Sequence, residues 1–212
     1  FRTLGVVALA VVSACSKKLD GPTPSVNGVS PPAVCQAQLT STIELSGAGL
    51  APLVTGALRD SQLELPAVAL SRTRDLTGAA VTDAAIQVPD DPRPPGSASS
   101  SVRWLSQEKM SLKLGPALGL APGLYDIAVT NPNGNRGTFS ESLLAVPPPS
   151  LTKVSPDILC GDKDNVVELT GDFFVKGTNS QPMVRFDDKQ LAPASLDNCR
   201  ALPGSAGLQA CK

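Results

Sequence analysis

A chain without a single histidine lacks the commonest general base, the commonest metal ligand and every Ser/His or Cys/His nucleophile pair. What remains for chemistry is carboxylates, lysines, hydroxyls and five cysteines. A Ser–Lys arrangement or a carboxylate pair is formally open, but no motif nominates one. The acidic stretches Asp162-Lys163-Asp164-Asn165, Asp187-Asp188 and Asp90-Asp91 lack the alternating acids, central glycine and distant glutamate of a calcium loop. They read as solvated turns. No CxxC spacing occurs, so a zinc site has no ligand set. Trp104 and Tyr125, the single Trp and the single Tyr, could form a sugar-binding platform, yet both fall in the apolar phase of their segments and read as core. The expectation is a non-enzymatic chain with no catalytic, metal or cofactor-binding residue.

The cysteine with the most telling surroundings is Cys15. Arg2 is followed by the apolar run Leu4–Val12, the form of a secretory signal. That run is too short to span a bilayer, which takes about 20 residues. Val12-Ser13-Ala14 then leads into Cys15, and this resembles a bacterial lipobox. The resemblance implies cleavage before Cys15, a diacylglycerol on its thiol and an acylated amine, and several chains together anchor stably. A plain signal peptide or a buried strand is the competing reading, but nothing polar alternates along the run. Ser16 rather than an aspartate follows Cys15, which for a lipoprotein implies export to the outer membrane.

The elements behind these residues are legible from composition and repetition. Of 212 residues, 42% are hydrophobic and 17% charged, so a packed core is affordable and global disorder is not expected. With 18 glycines and 20 prolines, turns must be frequent. Aromatics at 3% leave the core to Val, Leu, Ile and Ala. A net charge of −1 offers no basic footprint for nucleic acid.

Pro24-Ser25-Val26-Asn27-Gly28-Val29-Ser30-Pro31-Pro32-Ala33-Val34-Cys35 matches Pro149-Ser150-Leu151-Thr152-Lys153-Val154-Ser155-Pro156-Asp157-Ile158-Leu159-Cys160, and Ile43-Glu44-Leu45-Ser46-Gly47 matches Val167-Glu168-Leu169-Thr170-Gly171. Two blocks at nearly constant offset make an internal repeat. Within them Ile43 and Leu45 alternate with polar neighbours, the period of a half-buried strand. Val102 and Trp104, then Met110, Leu112 and Leu114, predict a hairpin around Ser106-Gln107-Glu108. Pro122-Gly123 opens a strand with Tyr125, Ile127 and Val129 on one face, Asn131-Pro132-Asn133-Gly134 is a turn, and Ser142–Val146 closes the unit. Excess length lies between Ser71 and Ser101, where Pro89–Ser100 reads as a loop. Short strands without a helical period predict an all-β sandwich.

The repeat opening, the E-L-S/T-G strand and Gly123-Leu124-Tyr125-Asp126-Ile127-Ala128-Val129-Thr130-Asn131-Pro132-Asn133-Gly134 are similar to the IPT/TIG family of immunoglobulin-like modules. The resemblance implies tandem immunoglobulin-like β-sandwiches: a lipoprotein signal over 1–14, a short linker over 15–22, a first module over 23–147 and the start of a second, truncated, over 148–212. Tyr125 would be a tyrosine corner. Pro147-Pro148-Pro149 favours an extended connection, and modules so joined form a stalk rather than a compact pair. With Cys15 lipidated, an exported protein is expected to bridge its remaining cysteines. Cys199 and Cys211, separated by a turn at Leu202-Pro203-Gly204-Ser205, predict a loop-closing disulfide. Cys35 and Cys160 occupy equivalent repeat positions and are not expected to meet.

Function follows as an expectation: a cell-surface lipoprotein, in the outer membrane or on the surface of a Gram-negative cell. It would act as a stalk or adhesive module meeting protein or polysaccharide partners and no nucleic acid. The open alternatives are the anchor and spacer of a secreted enzyme whose catalytic domain lies beyond residue 212, and a structural subunit of an envelope assembly. Residues 23–147 carry enough strands to fold alone; 148–212 do not.

Overall fold

Alternating apolar and polar side chains give strands with one face to hide, and hiding it takes a second sheet. A computed structural model of the chain describes residues 19–36, 40–57, 61–88, 101–161, 164–204 and 207–212. In the first unit the strands are β1 (Ser25–Ser30), β2 (Ala33–Cys35), β3 (Ser41–Ala48), β4 (Leu53–Thr55), β5 (Gln62–Glu64), β6 (Ala67–Arg74), β7 (Ile86–Val88), β8 (Val102–Ser106), β9 (Lys109–Leu114), β10 (Gly123–Thr130) and β11 (Arg136–Val146). One sheet runs β1-β3-β9-β8 and the facing one β2-β11-β10-β6-β7, while β4 and β5 pair separately. Strand β2 lies parallel to β11; the other neighbours are antiparallel. Labelled alphabetically, the sheets correspond to A-B-E-D and to G-F-C with additional edge strands, the arrangement of an immunoglobulin-like sandwich.

Register places the predicted alternation where it must be. Ile43 pairs with Leu112 and Leu45 with Met110, all four fully buried. Across the sandwich stand Tyr125, Ile127 and Val129 of β10, with Leu70 opposite Ile127 and Val68 opposite Val129. Burying each such aliphatic side chain is worth about 1.5–3 kcal/mol, and the whole cluster lies within the first unit. The predicted hairpin is β8–β9, turning at Gln107 and Glu108. Strand β6 was not among the expected elements, although Val68 and Leu70 alternate along it and it occupies the middle of the second sheet. The excess length is thus partly strand, in β6 and β7, whereas the loop read over Pro89–Ser100 lies outside the described residues.

The repeat is reproduced in three dimensions. Strands β12 (Ser150–Ser155) and β13 (Glu168–Asp172) pair as β1 and β3 do, with Leu151 opposite Gly171 as Val26 is opposite Gly47. Each pair carries its irregularity at the matching place, between Val26 and Gly28 and between Leu151 and Lys153. A side chain at Gly47 would collide with the carbonyl oxygen of Ser25, and one at Gly171 with that of Ser150, so close backbone approach requires glycine at both positions.

The second unit then departs from the first. It adds β14 (Phe174–Lys176), β15 (Val184–Phe186), β16 (Lys189–Leu191), β17 (Arg200–Ala201) and β18 (Gln209–Cys211). These form a β14-β18-β17 sheet and a β15–β16 hairpin, while β12–β13 stays a two-stranded sheet. The sequence predicted only the opening strands and a cysteine-bounded loop here. Strands of two or three residues carry no readable period, which is why the others were missed.

Candidate functional site at the joint between the units

Strand β10 turns alternate side chains to both sides, and those facing away from the sandwich core create the joint. Leu124 of β10 and Leu144 and Val146 of β11 are buried by Leu202 and Ala210, with Phe173, Val175 and Leu208 packed alongside. Pro147–Pro149 carries the chain from the end of β11 at Val146 to the start of β12 at Ser150. The expectation of an extended, separated pair therefore needs revision: an apolar cluster joins the units, because β10 has apolar residues in both phases.

Cys199 and Cys211 are disulfide-bonded. They stand at the end of the β17–β18 pair, one step beyond Arg200 and Ala210. The bond ties the strands whose Ala210 enters the joint, while the Arg200 guanidinium sits 5.5 Å from the centre of the Phe173 ring. Cys35 and Cys160 are separate thiols, the first half-buried and the second exposed. Cys15 lies outside the described residues, as do residues 1–14.

A cleft of about 150 Å³ opens beside the joint, lined by Pro32, Leu124, Leu144, Gly204 and Leu208 with Glu141 and Ser142 at its polar side. Both polar groups already have hydrogen-bond partners. The Glu141 carboxylate accepts a 2.5 Å bond from Arg74 Nε, and Ser142 Oγ donates to the Phe139 carbonyl at 2.9 Å. The bond it donates to Glu141 and the charge of that carboxylate hold the Arg74 guanidinium above its usual pKa. Elsewhere charges pair singly on the surface: Arg72 with Asp83 at 3.0 Å, Lys109 with Glu44 at 2.6 Å and Lys212 with Asp172 at 3.6 Å. Asp75 accepts from the Thr77 hydroxyl and from the Thr77 and Ala79 amides, which hold its carboxyl below the usual range.

The acidic stretches read as turns are placed as follows. Asp187-Asp188 makes the tight turn between β15 and β16, with its residues exposed. Asn165 Nδ2 donates to the Cys160 carbonyl at 2.8 Å. Asp90, Asp91, Asp162 and Lys163 lie outside the described residues. Among the described residues no three His, Cys, Asp or Glu side chains gather as a metal site would require.

Tyr125 belongs to the core, and Trp104, partly buried, packs against it. Trp104 Nε1 donates to the Leu50 carbonyl at 2.8 Å. Tyr125 is 1% exposed and its hydroxyl donates to the Ala121 carbonyl at 2.8 Å, four residues upstream. That is the geometry of a tyrosine corner. Burial pushes the phenol pKa upward, with Arg72 opposing it.

One residue that sequence reasoning passed over as a turn residue organises an end of the sandwich. Asn131 is 2% exposed. Its Nδ2 donates to the carbonyls of Pro22 at 3.0 Å and Gly49 at 2.7 Å, and its Oδ1 accepts from the Ala51 amide at 3.2 Å. Three distant segments are thereby stitched together. The only signal was an asparagine directly after an apolar strand, which turn chemistry explained equally well.

No protein-family model and no curated protein matches this chain. What the fold defines is an all-β protein whose first unit is an immunoglobulin-like sandwich.

Proposed function

We propose that the chain is a non-catalytic segment of a cell-surface lipoprotein, built from IPT/TIG-like modules and anchored through Cys15. It serves as a spacer or adhesive stalk that meets protein or polysaccharide partners through its loops and sheet edges. The observation that supports this best is the apolar joint of Leu124, Leu144, Val146, Leu202 and Ala210. A spacer must fix one unit against the next, and a continuous apolar cluster does so. The sandwich interior is filled by aliphatic side chains, which suits a scaffold that presents its ends. The lipid anchor is tested by replacing Cys15 with Ser in a Gram-negative host. Metabolic lipid labelling and detergent-phase partitioning should both be lost, and a variant that still labels and stays with the membrane overturns the anchor.

A further inference from the structure

The segment that enters the first unit runs beside the strand that leaves it. Asn135 Nδ2 donates to the Gly21 carbonyl at 2.9 Å, and Asn131 Nδ2 donates to that of Pro22 at 3.0 Å. A side chain at Gly137, the second residue of β11, would collide with the Pro24 carbonyl oxygen, so the two backbones touch there. Further along, β2 pairs with β11 in parallel, with Ala33 opposite Leu144 and Cys35 opposite Val146. The Leu144 amide donates to the Pro32 carbonyl and the Gln36 amide to that of Val146, both at 2.8 Å. Residues 21–35 and 135–146 thus advance in the same direction, and between these contacts β1 is held by β3. The chain enters beside the start of β11 and leaves at its end, about 30 Å away at the rise of an extended strand.

We propose that the first unit bears tension, with residues 21–35 and β11 forming a shear lock between its two ends. A pull on the entering chain draws residues 21–35 back toward the start of β11, while a pull beyond Val146 draws β11 the other way. Interstrand bonds run across the strands, slanted in a parallel pair. Opposed sliding therefore loads them together rather than in succession. The asparagine bonds to Gly21 and Pro22 are first in line, β1 on β3 follows, and β2 on β11 closes the path. By contrast, Gly123 lies opposite Ala145, so a pull that separates these neighbouring ends opens β10 from β11 one bond at a time. Pro147–Pro149, extended and semi-rigid, hands the load on directly from β11. A use for this strength on a cell rests on the anchored-stalk reading above, whereas the strength itself belongs to the topology.

The test stretches the full chain at constant force between handles clicked onto azide-bearing residues at Asp20 and Pro148. A second axis, from Ala117 to Pro148, leads instead into the adjacent ends of β10 and β11. Survival under load reads the unfolding rate. On the first axis the two main-chain bonds of β2 and β11 must yield together, so survival should be on the order of 25-fold longer, about fivefold for each bond. Gln36→Pro deletes the bond to the Val146 carbonyl from an exposed position and should shorten survival on the first axis about fivefold. Asn135→Ala should shorten it about twofold, because the Gly21 carbonyl is exposed. The second axis should not respond to Asn135→Ala, since its opening starts at the other end of β11. Equal survival on the two axes overturns the proposal, and so does a first axis indifferent to both substitutions. The comparison of axes needs no substitution, so it decides even where Gln36→Pro does not fold. Neither readout involves lipid on Cys15, so the lock and the anchor fail separately.

Discussion

Replacing Asn131 removes three hydrogen bonds at once, and the structure lets their worth be estimated one by one. The bond to the Gly49 carbonyl at 2.7 Å is the shortest, and the residue flanking it, Leu50, is fully buried, so that carbonyl loses a partner that water replaces poorly. Pro22 is exposed, so its carbonyl recovers a water and costs little. The Ala51 amide, bonded at 3.2 Å, is intermediate. An unsatisfied buried group costs about 1–3 kcal/mol and a replaced bond about 0.5–1.5 kcal/mol. The Ala variant should therefore lose about 3 kcal/mol, a large share of the 5–15 kcal/mol typical of a domain. Asp keeps the size and the acceptor but turns a carboxylate on two carbonyl oxygens, so at neutral pH it should be worse than Ala. In acid, where the protonated carboxyl can donate one bond, it should recover part of the loss. Urea unfolding followed by the fluorescence of Trp104, the single Trp, reports on this unit alone. A loss below about 0.5 kcal/mol for Ala, within the range of ordinary surface substitutions, or equal losses for Ala and Asp at neutral pH, would refute the reasoning.

Two other perturbations follow from the site geometry. Tyr125→Phe deletes the bond to the Ala121 carbonyl and should cost about 1 kcal/mol in urea unfolding. Because burial raises the folded-state pKa of Tyr125, its contribution is complete below the unfolded tyrosine value of about 10 and is lost as pH rises through the folded value. Stability should thus fall in alkali more steeply for the wild type than for Tyr125→Phe, and the phenolate absorbance of this single Tyr should titrate late until the chain unfolds. Reducing the Cys199–Cys211 bond, with its separation of 12 residues, should destabilise the second unit by about 3 kcal/mol on chain-entropy grounds. Amide exchange at Ala210 should quicken while that at Ile43 does not.

The parts legible in the sequence were those where one residue's neighbours along the chain decide its fate. Ile43 and Leu45 alternate, so β3 was readable; Met110, Leu112 and Leu114 alternate, so β9 was too. Cys199 and Cys211 were close enough in sequence to pair by proximity. Strand β6 escaped because Ser71, Arg72 and Thr73 follow Val68 and Leu70 and dilute the pattern, although Arg72 is held by the Pro122 carbonyl and Asp83. The joint could not be read at all. Leu124 and Leu144 face out of one unit, and only the positions of Leu202 and Ala210, far along the chain, turn that exposure into burial. The role of Asn131 depended likewise on partners 80 and 109 residues away.

The two copies of the opening strand pair separate what local sequence determines from what context adds. Register, the site of irregularity and the glycine required at the close approach are the same in both, so they are set within the repeat itself. Burial is not. Val26 is covered because β10 and β11 close over the first pair, whereas Leu151 stands exposed beside a sheet of two strands. An isolated two-stranded pair is marginal in water at best, so β12–β13 cannot derive its order from its own contacts. The other support in the second unit is the disulfide-tied β14-β18-β17 sheet, whose Val175 and Ala210 pack on Leu124, Leu144 and Val146 of the first unit. Order therefore passes from the first core through the joint to the second unit.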